Sequence, residues 1–388
     1  MNTLEKKFLS KVDQWFPYLV IAAATVLGAL IRLSLRRVVS IDATTFLLPW
    51  YDMIAEKGLY QQVGDYNMVY QFLIWIMTKI PIPPLYAYKI LSCGFDYLLA
   101  VVSALLVMQV GGGEKLWKAV AVYSLVLLSP VVFINSSAWA QCDSIYAAFA
   151  ILGLYFLEKE KYTCSLISLG MSFVFKLHAV FILPLYLFVY FVRRRFSVFR
   201  FLLIPVTMVA VSCPMLLWGR NLMDIFSIYY SQTATYPQMA ANYPSFWAMV
   251  CDFTSPEQYV YLKNAAILLT VAVLAGLMIY WIFRKYETTG KNLLIMAFLL
   301  TYTCVLFLPA MHERYGYIYE ICAILLAVLI PRTIPLCLAM LMISVYNYGI
   351  LLFSAPIVLR VTPLINLAIY AAYIAVLDAY MKKTNQNL

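Results

Sequence analysis

Charge is scarce in this 388-residue chain: Asp, Glu, Lys and Arg together make up 12% of it, against 64% hydrophobic residues. A soluble domain has nowhere to hide that much apolar surface, so the soluble classes are excluded. Histidine is scarcer still, with two in the chain, His178 and His312. The eight cysteines show no Cys-x-x-Cys pair and no metal-ligand spacing, so a structural zinc site lacks support. Six of them (Cys93, Cys164, Cys213, Cys304, Cys322, Cys337) lie in apolar segments and read as small hydrophobes. Cys142 and Cys251 fall in loops, where a disulfide is open but nothing in the sequence argues for one. DxD pairs, HExxH and Gly-rich phosphate loops are missing too, which removes support from nucleotide-sugar and P-loop mechanisms. No repeat period or low-complexity segment is visible. No clear cleavage site follows the first apolar run, 17–35, which comes after Lys6, Lys7 and Lys11; it reads as an uncleaved first helix.

What the chain does have is long apolar runs from end to end. Taking about 20 residues per crossing, the sequence predicts about twelve spans, near 17–35, 85–110, 118–136, 143–158, 162–177, 179–193, 201–218, 260–283, 292–309, 316–330, 334–353 and 362–380. The fold class is thus an all-α polytopic membrane protein. It reads as one membrane-embedded domain over 1–388. Its parts are a first extracytoplasmic loop over 40–84, the remaining core spans and outer loops over 85–330, and a C-terminal helix pair over 331–388.

The formal net charge of +10 comes from Lys and Arg clustered in short loops, which is a topology signal rather than a nucleic-acid one. The apolar segment 69–80 decides the topology. It is short and ends in Pro81, Pro83 and Pro84, as an interfacial or re-entrant segment does. If it does not span, the basic loops share one side, the cytoplasm, with both termini, and the protein is multi-pass in the cell membrane. Arg32, Arg36 and Arg37 run against that bias at the outer end of span one; lipid phosphates or a phosphorylated substrate would account for them.

The outer side then collects most of the unusual polar residues. The first loop holds Asp42, Asp52, Glu56 and Asp65, with Pro49 and Gly58 framing a surface helix. Later loops bring WAQCDS (139–144, with Gln141 and Asp143), KLH (Lys176 and His178), a long Tyr-rich loop over 218–259 that reads as an ordered or substrate-dependent lid, and AMHERYGY (310–317, with His312, Glu313 and Arg314). Ionisable groups near membrane depth are costly and usually line a cavity. Carboxylates mixed with Lys, Arg and His suit transfer from a lipid phosphate: a carboxylate takes the proton of the attacking hydroxyl, and cations hold the departing phosphate. Blander readings stand beside these. Asp42 can cap a helix starting at Ala43, Asp65 can open a turn, Asp143 can cap the helix after WAQC, Lys176 can snorkel, and His312, Glu313 and Arg314 can form a local ion-pair cluster. Asp52 and Glu56 read as solvated.

WAQCDSIYAAFAILGLYF, GMSFVFKLHAVFILPLYLF and LPAMHERYGYIYEICAILLA resemble, in order, the GT-C superfamily of integral-membrane glycosyltransferases. IDATTFLLPWYDMI and DYNMVYQFLIWI resemble it too, and within it the chain resembles bacterial proteins similar to the second GPI mannosyltransferase. The resemblance implies a GT-C-type fold and an inverting hexosyltransferase, with mannose the suggested sugar. It implies a polyprenyl-phosphate sugar as donor and co-substrate, and Asp42 as base. Relatives often carry Gly where this chain has Ala140, and Pro near Met68 and Val69.

The expected site is therefore catalytic Asp42, with Asp65, Gln141, Asp143, Lys176, His178, His312 and Arg314 binding substrate. The acceptor is expected to be an exported glycan, glycolipid or cell-wall polymer, and membrane lipids are the other partners, with no nucleic acid. No spacing requires a metal, and a divalent ion stays open. The rival reading is a transporter or flippase of a lipid-linked sugar, which predicts polar residues through the middle of spans; this chain gathers its charged candidates near one face.

Overall fold

The computed structural model describes residues 3–113, 115–252, 254–353 and 361–386; part of the expected C-terminal helix pair, 354–360, lies outside the described residues. Helices dominate, and the strands described are two-residue pieces, Ala240–Ala241 and Met311–His312, paired in parallel. All-helical architecture is what an apolar solvent demands, since every backbone group must find its partner within its own segment.

Seven helices are long and apolar enough to cross a bilayer, and a bent pair, Lys115–Leu127 with Pro130–Ala138, makes an eighth. Each of the other four expected spans also holds a helix, but a shorter one: Asp143–Glu158, Tyr162–Phe175, Leu177–Arg193 and Tyr317–Leu329. At 1.5 Å per residue the 13 residues of Tyr317–Leu329 reach about 20 Å, well short of a hydrocarbon core of about 30 Å. The short helices have ends in one region, at Asp143, Lys176, Leu177 and Tyr317, where the chain gives up helical structure to build a polar site. Met68–Met77 is likewise too short to cross at 10 residues; it buries Val69, Tyr70 and Ile74 against the bundle rather than lying free on a surface.

Pro84–Val110, Asp143–Glu158 and Tyr162–Phe175 form the tightest packing in the bundle. Small residues let the backbones close: a Cβ on Gly170 would lie 2.8 Å from Cβ of Thr207 on the neighbouring helix Leu203–Leu217. Gly290–Phe307 runs through the centre, buried at every position from Asn292 onward. Pro256–Phe283 is the opposite case, an outer helix showing Leu268 and Phe283 to its surroundings, the pattern of a lipid-facing span.

Several expectations change here. Arg32 does not face lipid phosphate. It is buried, donates from Nε to Asp96 Oδ2 at 2.8 Å, and reaches the carbonyls of Gly28 and Leu127. Asp96, halfway along Pro84–Val110, also accepts from Ser136 at 2.5 Å. The charged residues are therefore not confined to one end, but this mid-span pair is closed on itself. Lys89, buried as well, donates to the carbonyls of Leu35, Arg36 and Val38 and so holds the turn that follows the first helix. Cys142 and Cys251 are both free thiols, so the open disulfide is absent. The surface helix framed by Pro49 and Gly58 runs over Leu48–Lys57, with Gly58 at φ 70° and Asp52 and Glu56 exposed. The loop over 218–259 contains the helix Asp224–Thr235. Buried Arg220 ties it to the first loop through the Gln61 carbonyl and the Gln62 and Gln71 side chains.

Candidate active site

Asp42 stands where the chain leaves its first helix and enters a π-helical turn, Ala43–Leu47. Ser40 does the capping there, accepting from the amide of Ala43. The Asp42 side chain makes no cap hydrogen bond, so the capping reading is set aside. Its Oδ2 instead accepts from Trp139 Nε1 at 2.9 Å and from Gln141 Nε2 at 3.0 Å. Both donors hang from a second π-helical turn, Ile134–Ala138. Such turns break the regular ladder, and they are frequent where side chains must be re-aimed. Ala140 between the two donors has φ 65°, a left-handed conformation that costs an L-residue roughly 1–2 kcal/mol. The strain lets Trp139 and Gln141 converge on one oxygen. Gln141 is aligned in turn by Tyr66, whose hydroxyl donates to its Oε1 at 3.1 Å.

Behind Asp42 lies a charge cluster. Asp143 is buried at the start of its helix and caps nothing. It receives Lys176 Nζ at 2.5 Å and Asn135 Nδ2 at 2.8 Å. Lys176, 5% exposed, does not snorkel. Arg314 sits between the two acids, 3.6 Å from Asp42 Oδ2 and 3.7 Å from Asp143 Oδ2, with its guanidinium 5.5 Å from the Trp139 ring. Arg314 is delivered by a strained segment. Ala310 has φ 60°, Met311–His312 pairs with Ala240–Ala241, and Asn242, at φ 64°, bridges to His312.

Two cavities open on this cluster. One, about 290 Å³, has Lys176 and His178 beside a largely apolar wall that includes Val180, Phe181, Ile267 and Leu308. The other, about 400 Å³, holds Asp42, Gln141, Glu313 and the aromatic rings of Phe46 and Trp50. Asp65, Tyr66, Thr235, Tyr236, His312 and Arg314 line both, so the two share a wall. Burial and the neighbouring Arg314 and Lys176 push His312 down to about 3, so it is neutral and supplies no charge. Burial pushes Glu313 up to about 7 against the pull of Arg314. Glu313 therefore stands 3.9 Å from His312 without an ion pair between them.

All eight expected site residues meet in this one region, but in different layers. Asp65, Lys176, His178, His312 and Arg314 line a cavity, as do Asp42 and Gln141. Asp143 lines neither and instead supports Lys176 and Arg314. The sequence reading missed Asn135, Tyr66 and Trp139 as supports, and it passed over Glu313 as a site residue. Trp139 and Tyr66 lie within WAQCDS and DYNMVYQFLIWI; Asn135 carries no local signal and is recruited by the second π-helical turn. Among the described residues no three His, Cys, Asp or Glu side chains converge as a metal site would require.

A polytopic helical bundle with carboxylates opposed to cations where two cavities meet suits membrane-embedded group transfer. The family model of glycosyltransferase family 87 matches residues 66–309, more than half of the chain; the chain belongs to that family, and it is a glycosyltransferase. No protein of curated function matches it. The matched stretch contains Gln141, Asp143, Lys176 and His178, while Asp42, His312 and Arg314 flank it.

Proposed function

We propose that this glycosyltransferase moves a hexose, mannose being the first to test, from a polyprenyl-phosphate sugar to an exported glycan, glycolipid or cell-wall polymer, with inversion. The observation that carries the reading is the shared wall: an apolar cavity bearing Lys176 and His178 meets a polar cavity bearing Asp42, with Arg314 between them. Val180 and Ile267, at 36% and 44% exposure, belong to apolar helices, so the apolar cavity has lipid-facing walls that suit a polyprenyl chain. A hexose-phosphate at the wall presents its anomeric carbon to an acceptor held on the Asp42 side.

In this reading Asp42 takes the proton of the acceptor hydroxyl. The oxygen forms a bond to the anomeric carbon from the face opposite the phosphate, and the bond from that carbon to the phosphate oxygen breaks. The leaving phosphate carries the electron pair. Lys176 and Arg314 face Asp42 and Asp143 before substrate arrives, two cations against two anions. When Asp42 is protonated its claim on Arg314 ends, and that guanidinium is freed as charge grows on the phosphate. An interaction that strengthens during reaction is the kind that accelerates it. His178 offers an unpartnered Nδ1; His312, being neutral, offers hydrogen bonding only.

Asp42→Asn keeps size and the bonds from Trp139 and Gln141 but cannot accept the proton. Transfer from polyprenyl-phosphohexose in membranes containing equal amounts of protein should fall about 10²–10⁴-fold. A near wild-type rate would remove Asp42 as the base. The site is read as facing outward, with the termini in the cytoplasm. Side-specific labelling of cysteines placed at Tyr236 and Lys115 tests this, and cytoplasmic labelling at 236 overturns it.

A further inference from the structure

Resting on the reading of Asp42 as the reacting end of the site, we propose that the 400 Å³ cavity is a pyranose subsite. The acceptor is then itself a glycan, its terminal ring lying against Trp50 and held by Glu313. Neither residue has a part in the transfer step above.

Glu313 is 2% exposed, lines this cavity and not its neighbour, and its Oε2 has no hydrogen-bond partner among the described residues. His312 Nε2, on the same wall, has none either. Buried polar atoms are rarely left so, and each unmade bond is costly. Arg314 does not relieve Glu313, because it is placed between Asp42 and Asp143. Burial raises Glu313 to about 7, so near neutrality it holds a proton about half of the time and can donate to as well as accept from hydroxyl groups. The strained backbone at Ala310 and Asn242 holds this pair of orphans in place.

The cavity also has an aromatic wall. The Trp50 ring lies 5.6 Å from Phe46 and 5.8 Å from Tyr66. It is seated on Gly64, where a Cβ would come 2.6 Å from the indole and where φ is 68°. Two independent requirements thus select glycine there, and the indole is held while remaining partly exposed. A pyranose has an apolar face of ring C–H groups and a rim of hydroxyls. It matches an indole beside unpartnered carboxyl and imidazole groups, whereas a lipid alcohol or a Ser side chain leaves either the ring face or the orphans unmet. The 290 Å³ cavity lacks this combination, since neither Trp50 nor Glu313 lines it.

The test is saturation-transfer-difference NMR on the full-length protein in nanodiscs without donor, using methyl pyranosides of mannose, glucose and galactose. At least one should bind, with transfer concentrated on the C–H groups of one ring face. Trp50→Ala and Glu313→Gln should each weaken binding tenfold or more, while Trp50→Phe, which keeps an aromatic face, should restore most of it and show that the fold is intact. Binding by none of the three, binding that survives both substitutions, or binding lost in His178→Ala instead would overturn the proposal. Asp42→Asn should still bind the pyranoside while losing transfer. If it binds and still transfers, the base assignment fails and the subsite stands.

Discussion

Two buried Arg–Asp contacts in this molecule look alike by residue type and differ in geometry. Arg32 meets Asp96 Oδ2 at 2.8 Å, its other nitrogens reach carbonyls, and Ser136 donates to the same carboxylate oxygen, so that Asp96 Oδ1 alone of the pair is left without a hydrogen bond among the described residues. Arg314 stands 3.6 Å and 3.7 Å from its two acids, and its Nε has no hydrogen bond. A closed pair in an apolar interior is a structural pin: breaking it strands a charge, so folding depends on it. An open arrangement leaves bonding capacity for something that arrives later. Asp42 and Asp143 have neutral or cationic donors of their own besides Arg314, in Trp139, Gln141, Asn135 and Lys176. The fold does not need Arg314 in the way it needs Arg32.

The largest expected effect sharpens that contrast. Arg314→Ala should lower transfer about 10²–10³-fold, with yield and thermal stability close to wild type. Stability loss equal to that of an Arg32 variant would erase the distinction. Next, Asp96→Ala should destabilise by roughly 3–5 kcal/mol by leaving Arg32 buried and unpaired. The double replacement Arg32→Met with Asp96→Leu should recover most of that loss, as read by thermal unfolding in detergent. If the double variant is no better than Asp96→Ala, the pair is not a simple pin.

A third prediction concerns pH. Glu313 is raised by burial from 4.5 to about 7. Between those values the folded protein holds a proton that the unfolded chain has released, so stability declines as pH rises through the window, and the full penalty stands above about 7. Glu313→Gln should flatten this part of the stability curve, and an unchanged slope would show that Glu313 is not its source. The smallest effect is expected at Ala140. Ala140→Gly relieves the φ 65° strain but loosens the unfolded chain, so stability should shift by no more than about 1 kcal/mol. Transfer should drop only a few-fold as Trp139 and Gln141 lose alignment. A loss as large as that of Asp42→Asn would mean that this turn contributes more than orientation.

Much of this architecture was legible beforehand because lipid imposes a simple rule. Apolar length marks helices whatever their neighbours are, and all twelve expected spans hold one. Span length was less legible, since a helix that stops at a buried site and one that stops at water look the same in composition. Asp42, Lys176, His178 and Arg314 stood out because ionised side chains are rare near membrane depth. Asp96 did not, and Glu313 stood out only as a member of an ion-pair cluster, since a carboxylate's meaning depends on whether a partner far along the chain, or none, stands beside it.

The sequence by itself determined the membrane, the helices and the small set of polar residues able to do chemistry, through apolar run length and the cost of charge in lipid. Only the tertiary structure decided their roles. It made Asp143 a support, Arg32 a pin and His312 a neutral wall, left Glu313 without a partner, and turned Asp42 away from its own helix toward Trp139 and Gln141. Those outcomes depend on which side chains come within hydrogen-bond reach of one another across the chain, and no local pattern carries that information.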